Sequence, residues 1–250
     1  EWTTMGGMSI RSNPDIDTIP PSSGDNERNF WGTQVSYTGI KNHRPFAYAV
    51  WNKDQKSDRP SLFQKYDYDS YYVGIGSTGE LLKNLRYGTE WVYEGGRAYG
   101  WRDFLVKDEI DAWAFDAQIE YLSQWKRSPR FSFEYMFASG DGNRLYSPTN
   151  TIGGNVGQHD KSFSGFGYRD TGLSFAPRLS NIHVWRAGAA FKPFEDVEWL
   201  RQLEAGTDWF LYAKNRSNGA VSDPTADRQS GYLGWEMDYF LNWRLSSDLS

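Results

Sequence analysis

From Tyr232 to Ser246 the chain alternates without a break. Leu233, Trp235, Met237, Tyr239, Leu241, Trp243 and Leu245 fall on one side, and Gly234, Glu236, Asp238, Phe240, Asn242, Arg244 and Ser246 on the other. A period of two marks an extended strand, whose successive side chains point to opposite faces. One face here is oily and the other mostly polar. The run is also far longer than the usual soluble strand of about five or six residues, and its length suits a strand tilted across a bilayer.

The same alternation recurs through the chain. Phe131, Phe133, Tyr135 and Phe137 oppose Arg130, Ser132, Glu134 and Met136, and Trp113, Phe115, Ala117, Ile119 and Tyr121 oppose Asp116, Gln118 and Glu120. Tyr87, Thr89, Trp91 and Tyr93 oppose Arg86, Gly88, Glu90 and Glu94, and Trp31, Thr33, Val35 and Tyr37 oppose Gly32, Gln34 and Ser36. Weaker copies run over 44–51, 70–76, 182–192 and 203–214, with a partial strand near the start. The pattern predicts about ten strands and at most one helical turn, over 196–202.

The connections alternate as well. Short turns are expected at 39–43, 77–84, 126–128 and 193–201, and long polar loops at 11–27, 52–69, 95–107, 139–180 and 215–229. Outer-membrane barrels have this order, because their periplasmic turns are tight and their extracellular loops long. The reading is therefore an all-β chain, an antiparallel transmembrane β-barrel of porin type, with residues 1–250 in one barrel domain. No initiator Met or signal peptide opens the chain, and Ser247–Ser250 fall at the start of another turn. Both ends are accordingly expected to be cut from a longer barrel, since ten strands leave edges that lipid cannot solvate.

Composition removes other classes. With no cysteine, neither disulfides nor thiolate metal sites arise, and His43, His159 and His183 lack ligand spacing, so no cofactor is expected. A net charge of −5 disfavours nucleic acid. Twelve Trp and sixteen Tyr in a polar chain suit either a membrane interface or a sugar-stacking surface. Trp31, Trp91, Trp113, Trp185, Trp209, Trp235 and Trp243 all fall on the face expected to meet lipid. A soluble protein of two packed sheets would bury that face instead, and remains open as an alternative.

The opposite face carries Arg86, Glu90, Glu94, Asp116, Glu120, Arg130, Glu134, Arg186, Lys192, Glu204, Asp208, Glu236, Asp238 and Arg244. A water-filled lumen tolerates such a mixture and a packed core does not, so these residues are expected to line a solute pathway. Pairing across strands to stiffen the wall is the plainer role for any one of them. Glu90 with Glu94, or Glu236 with Asp238, also resembles a glycosidase pair; two residues on a strand face lie about 6–7 Å apart. Paired carboxylates are common on strands, and no enzyme is expected. The Ser139–Asn143 turn resembles a calcium loop but lacks its later acidic ligands, which favours an ordinary Gly and Asp turn.

Three segments carry a family resemblance: FSFEYMFASGDG from Phe131, NIHVWRAGAAFKPFE from Asn181, and GYLGWEMDYFLNWRLSSDLS from Gly231, in which Gly234, Glu236 and Asp238 fit a late-strand pattern. Together they resemble the alginate export family of outer-membrane barrels over roughly the C-terminal half. The resemblance implies an 18-stranded monomeric barrel in the bacterial outer membrane, without enzymatic activity, passing an anionic polysaccharide. It also implies a constriction of Arg and Lys with interspersed acids, for which Arg86, Arg130, Arg186, Lys192 and Arg244 are the candidates. Outer-membrane lipid surrounds such a barrel, and periplasmic secretion partners are compatible with it. A general or neutral-solute porin on the same fold, and a soluble carbohydrate-binding or carbohydrate-cleaving β protein, are the competing functions.

Overall fold

Each alternating run is a strand. A computed structural model describes residues 1–9, 26–56, 67–99, 107–144, 159–165, 169–223 and 225–244. Its elements are β1 (Trp2–Ser9), β2 (Asn26–Ser36), β3 (His43–Lys56), β4 (Asp67–Leu82), β5 (Leu85–Tyr99), β6 (Lys107–Leu122), β7 (Arg130–Ala138), β8 (Ile182–Phe191), β9 (Leu203–Lys214) and β10 (Tyr232–Trp243). They form one sheet in sequence order, with every neighbouring pair antiparallel. The described residues contain no helix, and residues 193–202 are a series of turns.

Several strands outrun the sequence pattern. The turn expected over 77–84 shrinks to Lys83 and Asn84, because Ser77–Leu82 continue β4. Gly95 and Gly96 look like the start of a loop, yet both lie within β5. Glycine is required at 96 by crowding: φ is +143°, and a Cβ there would sit 2.1 Å from the Asp69 carbonyl oxygen of β4. Residues 52–56 and 67–69 likewise extend β3 and β4. The expected loop over 11–27 lies outside the described residues except for Asn26 and Glu27, which belong to β2.

The two faces have different surroundings. Outward, a row of directly opposed residues runs Ala47, Ile75, Trp91, Phe115 and Phe137 across β3 to β7. Trp31, Trp91, Trp113, Trp209, Trp235 and Trp243 are exposed on that side. Trp185 is half-buried there in a stack with His183, at 5.6 Å between ring centroids. No second sheet covers this surface among the described residues. Water does not tolerate an apolar face of this extent on a folded chain, and lipid does. The two-sheet alternative accordingly fails.

The packed core lies on the inner face. Tyr68, Tyr72, Ile110, Ala112, Met136, Ile182, Val184, Phe210 and Tyr212 cluster there with Phe163, while Phe175 and Leu179 pack against them. Phe163, Phe175 and Leu179 belong to the long β7–β8 connection, whose described residues 159–165 and 169–180 turn inward onto this core. The expectation of a uniformly water-filled inner face therefore needs correcting: its long-loop half is a capped core and its short-turn half carries the open charges.

Candidate functional site

The inner wall is built from alternate residues of β4 to β10, and the β7–β8 connection crosses it. Near the short turns, Arg86 of β5 stands directly opposite Glu120 of β6, at 3.8 Å, with Glu80 at 3.9 Å. Arg130 of β7 donates to Glu120 at 3.1 Å and to Glu204 of β9 at 2.7 Å. It reaches past β8 because its partner there is the small Ala190. Arg86, Glu120, Arg130, Ser132, Glu134 and Arg186 all border a cavity of about 440 Å³.

A second group lies deeper in the wall. Glu90 faces Asp116 across the β5–β6 ladder, an opposition of like charges that is unfavourable unless each finds a donor. Tyr48 of β3 donates to Glu90, and Arg169 of the long connection donates to Asp116 and to Glu134. Arg186 lies 2.7 Å from Asp208, 3.5 Å from Glu134 and 3.3 Å from the loop's Asp170, with its guanidinium over the Phe210 ring. This is a lattice of alternating sign. Such a lattice holds each side chain in place, with more acids than arginines in it.

The remaining carboxylates hold the loop. Glu94 is buried, accepting from Tyr68 at 2.7 Å, from Tyr72 at 3.0 Å and from the Ser164 amide at 2.6 Å. On β10, Glu236 accepts from the amides of Leu173, Ser174 and Phe175 at 2.7, 2.5 and 2.9 Å, and from the Tyr212 hydroxyl at 3.1 Å. Asp238, which faces Asp208 across the ladder, takes a further bond from the Leu173 amide at 3.1 Å. Glu236 and Asp238 are thus committed to backbone donors. A glycosidase pair would need a carboxyl group turned to a substrate, and these two are turned to the loop.

Lys192 and Arg244 fall just beyond the strands. Lys192 follows β8 in the turn, with its Nζ 3.3 Å from Gln202, and Arg244 follows β10 at an exposed position. Neither joins the lattice described above. The Ser139–Asn143 turn is closed by Asp141, which accepts from the amides of Asn143 and Lys161 at 2.9 and 3.1 Å. No cluster of three metal-ligating side chains occurs among the described residues.

The long loops are knitted to each other above the core. Asn181 is the hub: its Nδ2 donates to the carbonyls of Arg216 and Ala220, both at 3.0 Å, and its Oδ1 accepts from the Arg216 amide at 2.7 Å. Arg144 and Asp160 form an ion pair in which both side chains are only 2% exposed. In the β9–β10 loop, the hydroxyl and then the amide of Thr225 hold the Asp223 carboxyl below the usual range.

Sequence reading did not single out Arg169, Asp170 or the amides of 173–175. They lie in a polar stretch without periodicity, so no pattern marks which of its residues turn inward. Tyr48, Tyr68, Tyr72 and Tyr212 were detectable in principle, since they share the inward register of their strands. Tyrosine also occupies the outward face at Tyr71 and Tyr93, which erases the polarity contrast.

An antiparallel sheet with an apolar outer face, a charged inner face and a connection folded inward is the wall of a porin-like outer-membrane β-barrel. The family model described as alginate export matches residues 12–250, and the chain belongs to that family. The family is one of transport channels rather than enzymes. No curated protein matches the chain.

Proposed function

We infer that this chain lines an outer-membrane pore through which an acidic polysaccharide of the alginate type leaves the cell, its carboxylates meeting Arg86 and Arg130 on the short-turn side of the inner wall. One observation carries the reading. Arg86 is 56% exposed, borders the open cavity, and has its nearest carboxylates only at 3.8 and 3.9 Å, whereas Arg169 and Arg186 are closely held by acids. A guanidinium held loosely can exchange a wall carboxylate for a substrate carboxylate at little cost, and the neighbouring Glu120 and Glu204 keep binding weak enough for passage. The short turns face the periplasm in this arrangement, so Arg86 and Arg130 meet the polymer as it enters.

The test is single-channel current through the full-length protein in planar bilayers. Oligouronates are expected to block the open channel, and the double substitution Arg86→Glu with Arg130→Glu to abolish that block while current persists. Equal block by uncharged oligosaccharides would overturn the anionic cargo. A second reading has its own observation: Glu90, Asp116, Glu134, Asp170 and Asp208 outnumber Arg169 and Arg186 in the deeper group. A general porin would then show a reversal potential favouring cations and no uronate block.

A further inference from the structure

The β7–β8 connection meets the middle of the sheet and its β10 edge at residues only nine apart in the chain. Ser164 binds β4 and β5 through Tyr72 and Glu94, and Leu173 binds β10 through Glu236 and Asp238. Between β5 and β10 lie five strand spacings, about 24 Å along the sheet at about 4.8 Å each. Arg169 is fastened on the way, to β6 and β7.

The β10 end is a deliberate fit. Three successive amides converge on one carboxylate, a concave arrangement of N–H groups suited to an anion. Gly172 makes the approach feasible: its φ is +110°, and a Cβ would lie 2.5 Å from the Tyr212 hydroxyl and 3.0 Å from both Glu236 oxygens. The Leu173 side chain is 75% exposed. A large apolar side chain facing water beside a backbone held this firmly sits on the side of the segment turned away from the wall.

We propose that residues 169–175 form a fixed strap inside the lumen, latched to the wall by Arg169 at one end and Glu236 at the other, and that this strap sets the width of the pathway at its level. Glu236 acts here as a positioning residue: it touches no solute and holds the amides of 173–175 against β10. The strap presents Leu173 to the passing polymer, an apolar surface on which a pyranose face can slide without a strong hold. Asp170, half-exposed beside Arg186, completes its polar edge. The inference deepens the pore reading given above and rests on it.

Residues 1–250 have no cysteine, so a thiol placed on the strap has no competitor among them, and the unsubstituted full-length protein treated in parallel gives the labelling background. In full-length protein in planar bilayers, Leu173→Cys is treated with a charged, membrane-impermeant methanethiosulfonate reagent. The exposed position tolerates the substitution, and complete labelling is checked by mass. A strap that bounds the pathway gives a conductance drop of about twofold or more on labelling. Complete labelling with unchanged current overturns the proposal. In a second arm, Glu236→Ala with Asp238→Ala releases the latch, and the open-channel conductance rises with added current noise; conductance and noise equal to the parent's also overturn it. Both arms read salt current without sugar, so they stand apart from the uronate-block test. Loss of uronate block with a positive strap result would remove the cargo and leave the strap.

Discussion

Replacing Arg169 with Met keeps most of the apolar stem and removes the guanidinium that joins Asp116 of β6 to Glu134 of β7. The two carboxylates it neutralises are 14% and 9% exposed, whereas Arg169 itself is 37% exposed. A hydrogen bond to a charged group contributes about 1.5–3 kcal/mol, and solvent at the half-open arginine favours the lower end. Two such contacts come to about 3 kcal/mol. Asp116 suffers most, because it also faces Glu90 across the ladder. Glu134 keeps Arg186 at 3.5 Å and suffers less. Urea unfolding of the protein in phospholipid vesicles, followed by tryptophan fluorescence, measures the loss directly. Adding Asp116→Asn and Glu134→Gln to Arg169→Met removes the stranded charges, and stability then recovers to within about 1 kcal/mol of the parent. A change below about 0.5 kcal/mol for Arg169→Met alone would refute the electrostatic anchoring, as would further loss in the triple variant.

Other outcomes follow from the same geometry. Gly172→Ala puts a methyl group against Tyr212 and Glu236 at a positive φ, and is expected to cost about 1–3 kcal/mol in the same unfolding assay; a neutral result would mean the strap does not sit against β10. Trp91→Arg places a charge in the middle of the outward row between Ile75 and Phe115, and should lower stability in vesicles by about 2–4 kcal/mol. Purification of that variant as a stable monomer without detergent would contradict a lipid-facing surface. Arg144→Met leaves Asp160 charged and enclosed, and about 3–5 kcal/mol of loop stability should disappear, read as faster proteolysis near the long loops with the strands still protected. Equal proteolysis rates would show that the pair does not hold the loops.

The strands and the facing of their side chains were legible because they are local properties. A strand repeats every two residues, so lipid on one side and a polar space on the other write themselves into the sequence as alternation, and β9 appears there with the boundaries it has in the fold. Where both faces hold similar residues the pattern faded, as in β4, whose inward Tyr68, Ser70 and Tyr72 oppose Asp69, Tyr71 and Val73. Alternation put Arg86, Glu120 and Arg130 on one strand face, and in the structure Glu120 meets both arginines. Alternation did not show that Glu94 and Glu236 serve loop amides, or that Arg169 supplies a cation to the wall.

Those assignments depend on which residues meet across a fold. Glu236 and the amides of 173–175 lie some sixty residues apart in the chain, and Ser164 and Glu94 seventy. Amides look alike in sequence, and a polar loop has no period from which its path can be read. By itself the sequence determined a membrane barrel wall with charges on one face, because burial against lipid acts on every strand residue in turn. Only the tertiary structure decided that residues 159–165 and 169–180 of the longest connection fold inward, since that choice is made by a few buried carboxylates finding donors far along the chain.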